Sequence, residues 1–332
     1  MTAYRHITVL GAGAWGTALA LALNRAHRHV TLWGREAELM TTIAQTRVND
    51  RYLKDIPLPS NITVTSSPKD ALSNADAVFI VIPAQFLRTT LPLFTSFIPS
   101  SAPLVLCSKG IELSSGLLVS DVVQSFFPHH PLAVLSGPNF AREVALGLPA
   151  ASVIACKDVA IAEKLANTLA SPSFRPYLSR DVIGAEVAGA LKNVIAIASG
   201  IVMGMKLGDN ARAALITRGL AEIKKLGLAL GADADSFSGL SGMGDLLLTA
   251  TSHQSRNFAL GFALGEGQSL KSLTQNSKSV HEGVATSAAL IDLAQKHHLN
   301  LPICQTIHDV LYLNMPLTDA VQSLMSRPVT EE

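Results

Sequence analysis

The sequence predicts an N-terminal α/β domain on a mostly parallel sheet, followed by an all-α C-terminal domain, and three features of its 332 residues carry that reading. Short β-branched runs alternate with helical patterns over the first half, a glycine-rich turn follows the first run, and strand-like runs vanish after about residue 181. The length suits about two domains of ~100–200 residues, and 48% hydrophobic residues can fill two cores.

In chain order the first half reads HITVL, a helix from about Trp15, HVTLW, a helix, NITVT, DAVFIVI, a helix, PLVLCS, a helix and PLAVLS. ASVIAC and FRPYLS extend the sheet. Beyond them, segments rich in Ala, Leu, Ile and Gly keep helical spacing up to Pro316 and past it. The boundary falls between residues 180 and 190, and the chain is divided as 1–184 and 185–332.

Only 15% of residues are charged and the net charge is +1, so no overall field would hold the chain on nucleic acid or an anionic membrane. Any bound anion must be met locally. The start, MTAYRHITVL, runs straight into a strand without the apolar core or cleavage site of a signal peptide, so a cytoplasmic location is expected. The apolar run AGALKNVIAIASGIVMGM at 188–205 approaches membrane-spanning length. Lys192 and Asn193 interrupt it, Glu186 and Lys206 flank it, and Gly and Ala are frequent, so it reads as a buried helix without stable membrane insertion. Cys107, Cys156 and Cys304 are far apart and lack metal-ligand spacing, which makes them reduced core thiols and leaves no metal site expected.

ITVLGAGAWGTALA sets Gly11, Gly13 and Gly16 between a strand and a helix with the spacing G-x-G-x-x-G. Gly11 permits the tight turn, Gly13 lets backbone approach a pyrophosphate, and Gly16 lets helix and strand pack closely. The helix start adds free N–H groups and partial positive charge, so residues 1–184 form a Rossmann-type dinucleotide-binding domain. About 20 residues onward the second strand ends in LWGRE. Arg35 can take the 2′-phosphate of NADP, while the adjacent Glu36 can hold the ribose hydroxyls of NAD. The reading favours NADPH and leaves both cofactors open.

In the second half, Lys192 on an apolar helix either snorkels to solvent or works as a partly desolvated acid/base, and its setting behind a nucleotide-binding domain favours the second. GLSGMGDLLLT makes a bend at Gly239, Gly242 and Gly244 and places Asp245 in the first turn that follows. SHQSRNFALG brings Ser255, Arg256 and Asn257 to a helix N-terminus, a set that suits a phosphate or an ordinary polar cap. In the first half, Lys109 in SKGIE and Gly137, Pro138 and Asn139 in SGPNFA follow strand ends, where ligands of open α/β sheets bind.

Taken together, GAGAWGTALA, SKGIE, SGPNFA, LKN, GLSGMGDLLLT, SRN and VHEG, in that order, resemble the NAD(P)-dependent glycerol-3-phosphate dehydrogenases of bacterial type along nearly the whole chain. The resemblance implies NADPH- or NADH-dependent reduction of dihydroxyacetone phosphate to glycerol 3-phosphate, a phospholipid precursor. It implies that Lys192 is the general acid/base and that Lys109 lies between cofactor and substrate. Gly137, Asn139, Asp245, Ser255, Arg256 and Asn257 go to the substrate. Ala14, Trp15, Arg35, Ala141, Val280 and Glu282 go to the cofactor, as does Arg256 in part. The family usually has Ser or Thr where this chain has Asn139, whose amide is longer but can still donate a hydrogen bond. Two other functions remain open on the residues alone: a related reductase of a β-hydroxyacid, and a dinucleotide sensor without turnover. The Ala/Gly-rich helices can also support a homodimer interface.

Overall fold

A computed structural model describes residues 2–275 and 282–328. The β-branched runs form strands: β1 His6–Leu10, β2 His29–Trp33, β3 Val48–Asn49, β4 Leu53–Pro57, β5 Thr63–Thr65, β6 Ala77–Ile80, β7 Leu104–Leu106, β8 Leu132–Ser136, β9 Ala150–Cys156 and β10 Phe174–Ser179. Eight of them make one sheet in the order β10-β9-β8-β7-β6-β1-β2-β5. Every neighbouring pair is parallel except β8 with β9. The expected mostly parallel α/β domain is therefore present. Strands buried on both faces read as continuous apolar runs, as AVFI of β6 and LVL of β7 do. From β1 the chain builds outward to β2 and then returns to β6 on the other side, so the strand order reverses beside β1. That reversal opens a crevice at the carboxyl end of β1, where such sheets bind ligands.

Helix Ala14–Arg25 buries Leu19 and Leu23 in the same core as Ile7, Val9 and Leu32 of the sheet. The antiparallel hairpin β3–β4 was not foreseen from the sequence. Only Leu53 and Ile56 of β4 are buried, so its five residues show no strand period, and β3 is two residues long.

Contacts divide the chain into two compact units: residues up to Lys109 with Leu118–Glu186, and Gly110–Leu117 with Val187 onward. No strand occurs after β10 among the described residues. The longest helix, Val182–Gly204, is capped by Asp181, whose carboxylate accepts from the Gly184 N–H at 2.8 Å. It is strongly apolar, and 89% of its most hydropathic window is buried inside the protein. Helix Arg256–Gly265 lies against it backbone to backbone. A Cβ at Gly265 would stand 2.6 Å from the Ile201 carbonyl, and one at Gly261 would collide with that of Ile197.

Two buried carboxylates hold helix starts. Glu222 accepts from the N–H groups of Ile303 (2.7 Å) and Cys304 (3.1 Å) and so caps helix Pro302–Tyr312. Burial pushes its carboxyl up in spite of those bonds. Glu186 accepts from the Ser120 N–H (2.7 Å) and hydroxyl (2.6 Å) at the start of helix Val119–Phe126. The three cysteines are buried and form no disulfide, and burial raises each thiol.

Burial also pushes the Glu186 carboxyl up from 4.5 to about 7. A raised carboxyl binds its proton more tightly folded than unfolded, so its contribution to stability is complete below pH 4.5 and is lost as the pH climbs through about 7. Glu186→Gln keeps the shape of the neutral acid. Urea titrations should show the wild type losing stability relative to this variant across that window; a constant difference would mean the carboxyl titrates normally.

Candidate active site

In the first unit the three glycines of the opening motif meet three different constraints. Gly11 turns the chain at φ 122°, and a Cβ there would stand 2.7 Å from the Val81 carbonyl. One at Gly16 would collide with the Gly11 carbonyl. At Gly13 a Cβ would meet nothing within 4 Å, so this side of the loop is open to a close-lying group. Helix Ala14–Arg25 starts there with no side-chain cap and no acid in its first turn. Its first N–H groups and dipole are left for an anion, with Ala14 and Trp15 half-buried at that end. Arg35, beyond β2, is exposed and has no carboxylate partner among the described residues. Glu36 beside it is ion-paired with Arg51. A cationic side chain thus stands where a 2′-phosphate would be read, and the carboxylate that could take ribose hydroxyls is engaged. These residues fit a pyridine dinucleotide.

Further along the sheet, the Lys109 ammonium donates to the Gly137 carbonyl at 3.4 Å, joining the loops that follow β7 and β8. Gly137 has φ 150°, and a Cβ there would lie 3.0 Å from Cα of Ser152. The Asn139 amide is hydrogen-bonded to the Ser152 hydroxyl of β9. Two residues on, Ala141 opens helix Ala141–Leu146.

In the second unit, Lys192 is 6% exposed and ion-paired with Asp245, itself 1% exposed. Its ammonium also donates to the Thr249 hydroxyl at 2.9 Å. That hydroxyl gives its own hydrogen to the Asp245 carbonyl at 2.6 Å, which turns a lone pair toward the ammonium. Asp245 is placed by a π-helical turn, Leu240–Gly244, that leads into helix Asp245–Thr251. Thr249, four residues on, shares its face. Sequence reasoning missed Thr249, although the i, i+4 spacing inside GDLLLT carries the signal.

Ser255 caps helix Arg256–Gly265 by accepting from the Phe258 N–H at 3.2 Å, so its hydroxyl hydrogen remains available to an anion. Arg256 is exposed at the first helical position. Buried Asn257 accepts from the Gly283 N–H at 3.2 Å through Oδ1, which fixes the amide and directs its donors away from Gly283. A Cβ at Gly283 would stand 2.8 Å from the Asn193 carbonyl and 2.9 Å from Asn257 Oδ1. Asn257 is thereby packed close to the turn that carries Lys192. Glu282 opens helix Glu282–Lys296, and Val280 lies outside the described residues.

Residues 6–162 match the N-terminal part, and residues 181–322 the C-terminal part, of NAD-dependent glycerol-3-phosphate dehydrogenase. The chain belongs to that family. It is 52% identical over 327 residues to the NAD(P)+ glycerol-3-phosphate dehydrogenase of Rhodospirillum rubrum, covering 98% of this chain and 94% of that one. The enzyme of the same name from Parvibaculum lavamentivorans is 47% identical, with 99% of each chain covered. The crystal structure of glycerol-3-phosphate dehydrogenase from Coxiella burnetii superposes with a TM-score of 0.94 at 37% identity, covering 97% of this chain and 99% of that one. Family membership makes the chain an NAD(P)-dependent oxidoreductase, and the open glycine loop and the free Arg35 are the parts of the fold that fit its cofactor.

The glycine geometry separates folding from binding. Gly16→Ala is expected to destabilise by about 1–3 kcal/mol through overpacking. Gly13→Ala should leave melting almost unchanged yet weaken NADPH binding, because its methyl group fills the open side of the loop. Melting curves beside fluorescence titrations with NADPH check both, and equal losses of stability would refute the distinction.

Proposed function

We propose that the protein catalyses the reversible NAD(P)H-dependent reduction of dihydroxyacetone phosphate to sn-glycerol 3-phosphate, supplying phospholipid synthesis. The observation that carries the mechanism is the buried Lys192 side chain, ion-paired with Asp245 and hydrogen-bonded to Thr249. The dinucleotide is held by Gly11, Gly13, Ala14, Trp15, Gly16, Arg35, Ala141, Val280 and Glu282, and when bound it supplies the hydride. Lys192 donates its proton to the substrate oxygen as negative charge builds there, and the neutral amine takes it back in the reverse direction. Asp245 and Thr249 orient that ammonium. Ser255, Arg256 and Asn257 hold the phosphate, with the guanidinium offering paired donors and the helix start its N–H groups. Arg256 also contributes to cofactor binding. Lys109, Gly137 and Asn139 serve the substrate from the first unit, Lys109 between it and the cofactor.

Residues 1–184 then form the dinucleotide-binding domain, and residues 185–332 the helical substrate-binding and catalytic domain. Arg35, unpaired while Glu36 is engaged, supports a preference for NADPH over NADH. The burial of helix Val182–Gly204 supports a cytoplasmic enzyme without membrane insertion, and the Ala/Gly-rich helices support a homodimer.

Purified protein should oxidise NADPH with dihydroxyacetone phosphate and not with unphosphorylated dihydroxyacetone. Lys192→Ala should lower kcat about 10²- to 10⁴-fold while NADPH still binds; undiminished turnover would sink the assignment. Arg256→Ala removes a charge-assisted bond and should raise KM for the phosphate substrate roughly 10- to 100-fold. An unaltered KM would remove it as the anchor.

A further inference from the structure

Asn49 of β3 is completely buried, and its amide nitrogen makes two bonds, donating to the Ala12 carbonyl at 2.9 Å and to the Thr17 hydroxyl at 2.8 Å. Ala12 lies between the first two glycines of the dinucleotide loop, and Thr17 is in the first turn of the helix behind it. A carbonyl oxygen can only accept, so the bond to Ala12 fixes which end of the Asn49 amide faces the loop. Its oxygen, Oδ1, is buried with no hydrogen-bond partner among the described residues. An apolar side chain here would avoid that penalty, so what recommends asparagine is its pair of donors.

We infer that Asn49 is a positioning residue for the cofactor pyrophosphate, acting through the peptide that joins Ala12 to Gly13. That peptide is planar and trans, so its C=O and N–H point in opposite directions. Pinning the Ala12 oxygen onto Asn49 aims the Gly13 N–H the other way, and Gly13 is the loop residue beside which nothing lies within 4 Å. The same pin turns a carbonyl lone pair away from the anion. The second bond, to Thr17, ties the loop to the first helical turn, whose own Thr17 N–H donates to the Gly13 carbonyl at 3.0 Å. The hairpin β3–β4, which lies outside the main sheet, thereby carries the side chain that sets the phosphate loop.

The inference rests on the reading that the loop binds NAD(P)H, and its test separates the two. Wild type, Asn49→Leu, Asn49→Asp and Thr17→Val are compared for melting temperature, NADPH binding by fluorescence, and KM for each substrate. Asn49→Leu should raise KM for NADPH about tenfold, the cost of about one misdirected bond to a charged group, with kcat at saturation and KM for dihydroxyacetone phosphate nearly unchanged. Thr17→Val, which spares the pin on Ala12, should raise it much less for a similar fall in melting temperature. In Asn49→Asp the carboxylate repels the Ala12 oxygen and its protonated form can donate to it, so NADPH affinity relative to wild type should recover as the pH falls from 8 to about 5. An unchanged KM in folded Asn49→Leu, an equal rise in Thr17→Val, or an affinity ratio for Asn49→Asp that stays flat with pH would each overturn the role of Asn49. A wild-type protein that binds no NADPH would instead overturn the cofactor reading itself.

Discussion

An ammonium on a strongly apolar helix is the constraint around which the second unit is arranged. Asp245 and Thr249 meet it there, and breaking such a buried pair by removing one partner costs about 3–5 kcal/mol. The partners lie 53 and 57 residues away in sequence, so the fold has to deliver them accurately. The glycine run before Asp245 makes a π-helical turn that sets the start of helix Asp245–Thr251. The buried Ser199 hydroxyl then donates to the Ala250 carbonyl at 2.6 Å and fixes that helix to the central one. Close contact of Gly261 and Gly265 with the Ile197 and Ile201 carbonyls places the helix headed by Arg256. The same central helix thus serves as the reference for both Lys192 and the helix that starts at Arg256.

The first unit is built differently, around a glycine loop with one open side. Reversal of strand order beside β1 leaves its carboxyl end open, and the three glycines divide the work between turning, opening and packing. Nothing in this arrangement needs a net positive chain, and the chain is nearly neutral at +1. Charge is supplied at points instead: Arg35 after β2, Lys109 after β7, and the partial charge of a helix start.

Most of the parallel sheet was legible because most of its strands are short apolar, β-branched runs whose pattern needs no distant partner. The glycine motif was legible for the same reason, since turn, strand and helix are contiguous. The SRN segment also read correctly as a helix start, with Ser255 at the cap. What escaped depends on residues far apart in sequence. The hairpin β3–β4 offers only two buried apolar side chains in β4, and the donors of Asn49 reach back 37 and 32 residues to Ala12 and Thr17. Glu222 caps a helix that begins about 80 residues later, between Leu301 and Pro302, neither of which has a polar side chain to do it. Segment Gly110–Leu117 sits among first-half loops in sequence yet groups with the second unit, which no local pattern announces.

The choice of lysine for one cation and arginine for the other follows from where each stands. A guanidinium stays protonated throughout the accessible pH range and offers a planar fork of donors, so an exposed arginine can hold a phosphate but cannot exchange a proton with it. Arg256, at an exposed helix start, has that setting. An ammonium can give up its proton, and burial makes it readier to do so, while a facing carboxylate works in the opposite sense. Lys192 meets both influences at once, with 6% exposure on one side and Asp245 on the other. Exchanging the two residue types would put a cation that cannot release its proton at the buried position and one without a planar fork at the exposed helix start. The sequence places the exchangeable cation where water is excluded and the permanent one where an anion can arrive from solvent, which is the division that the proposed roles of the two residues require.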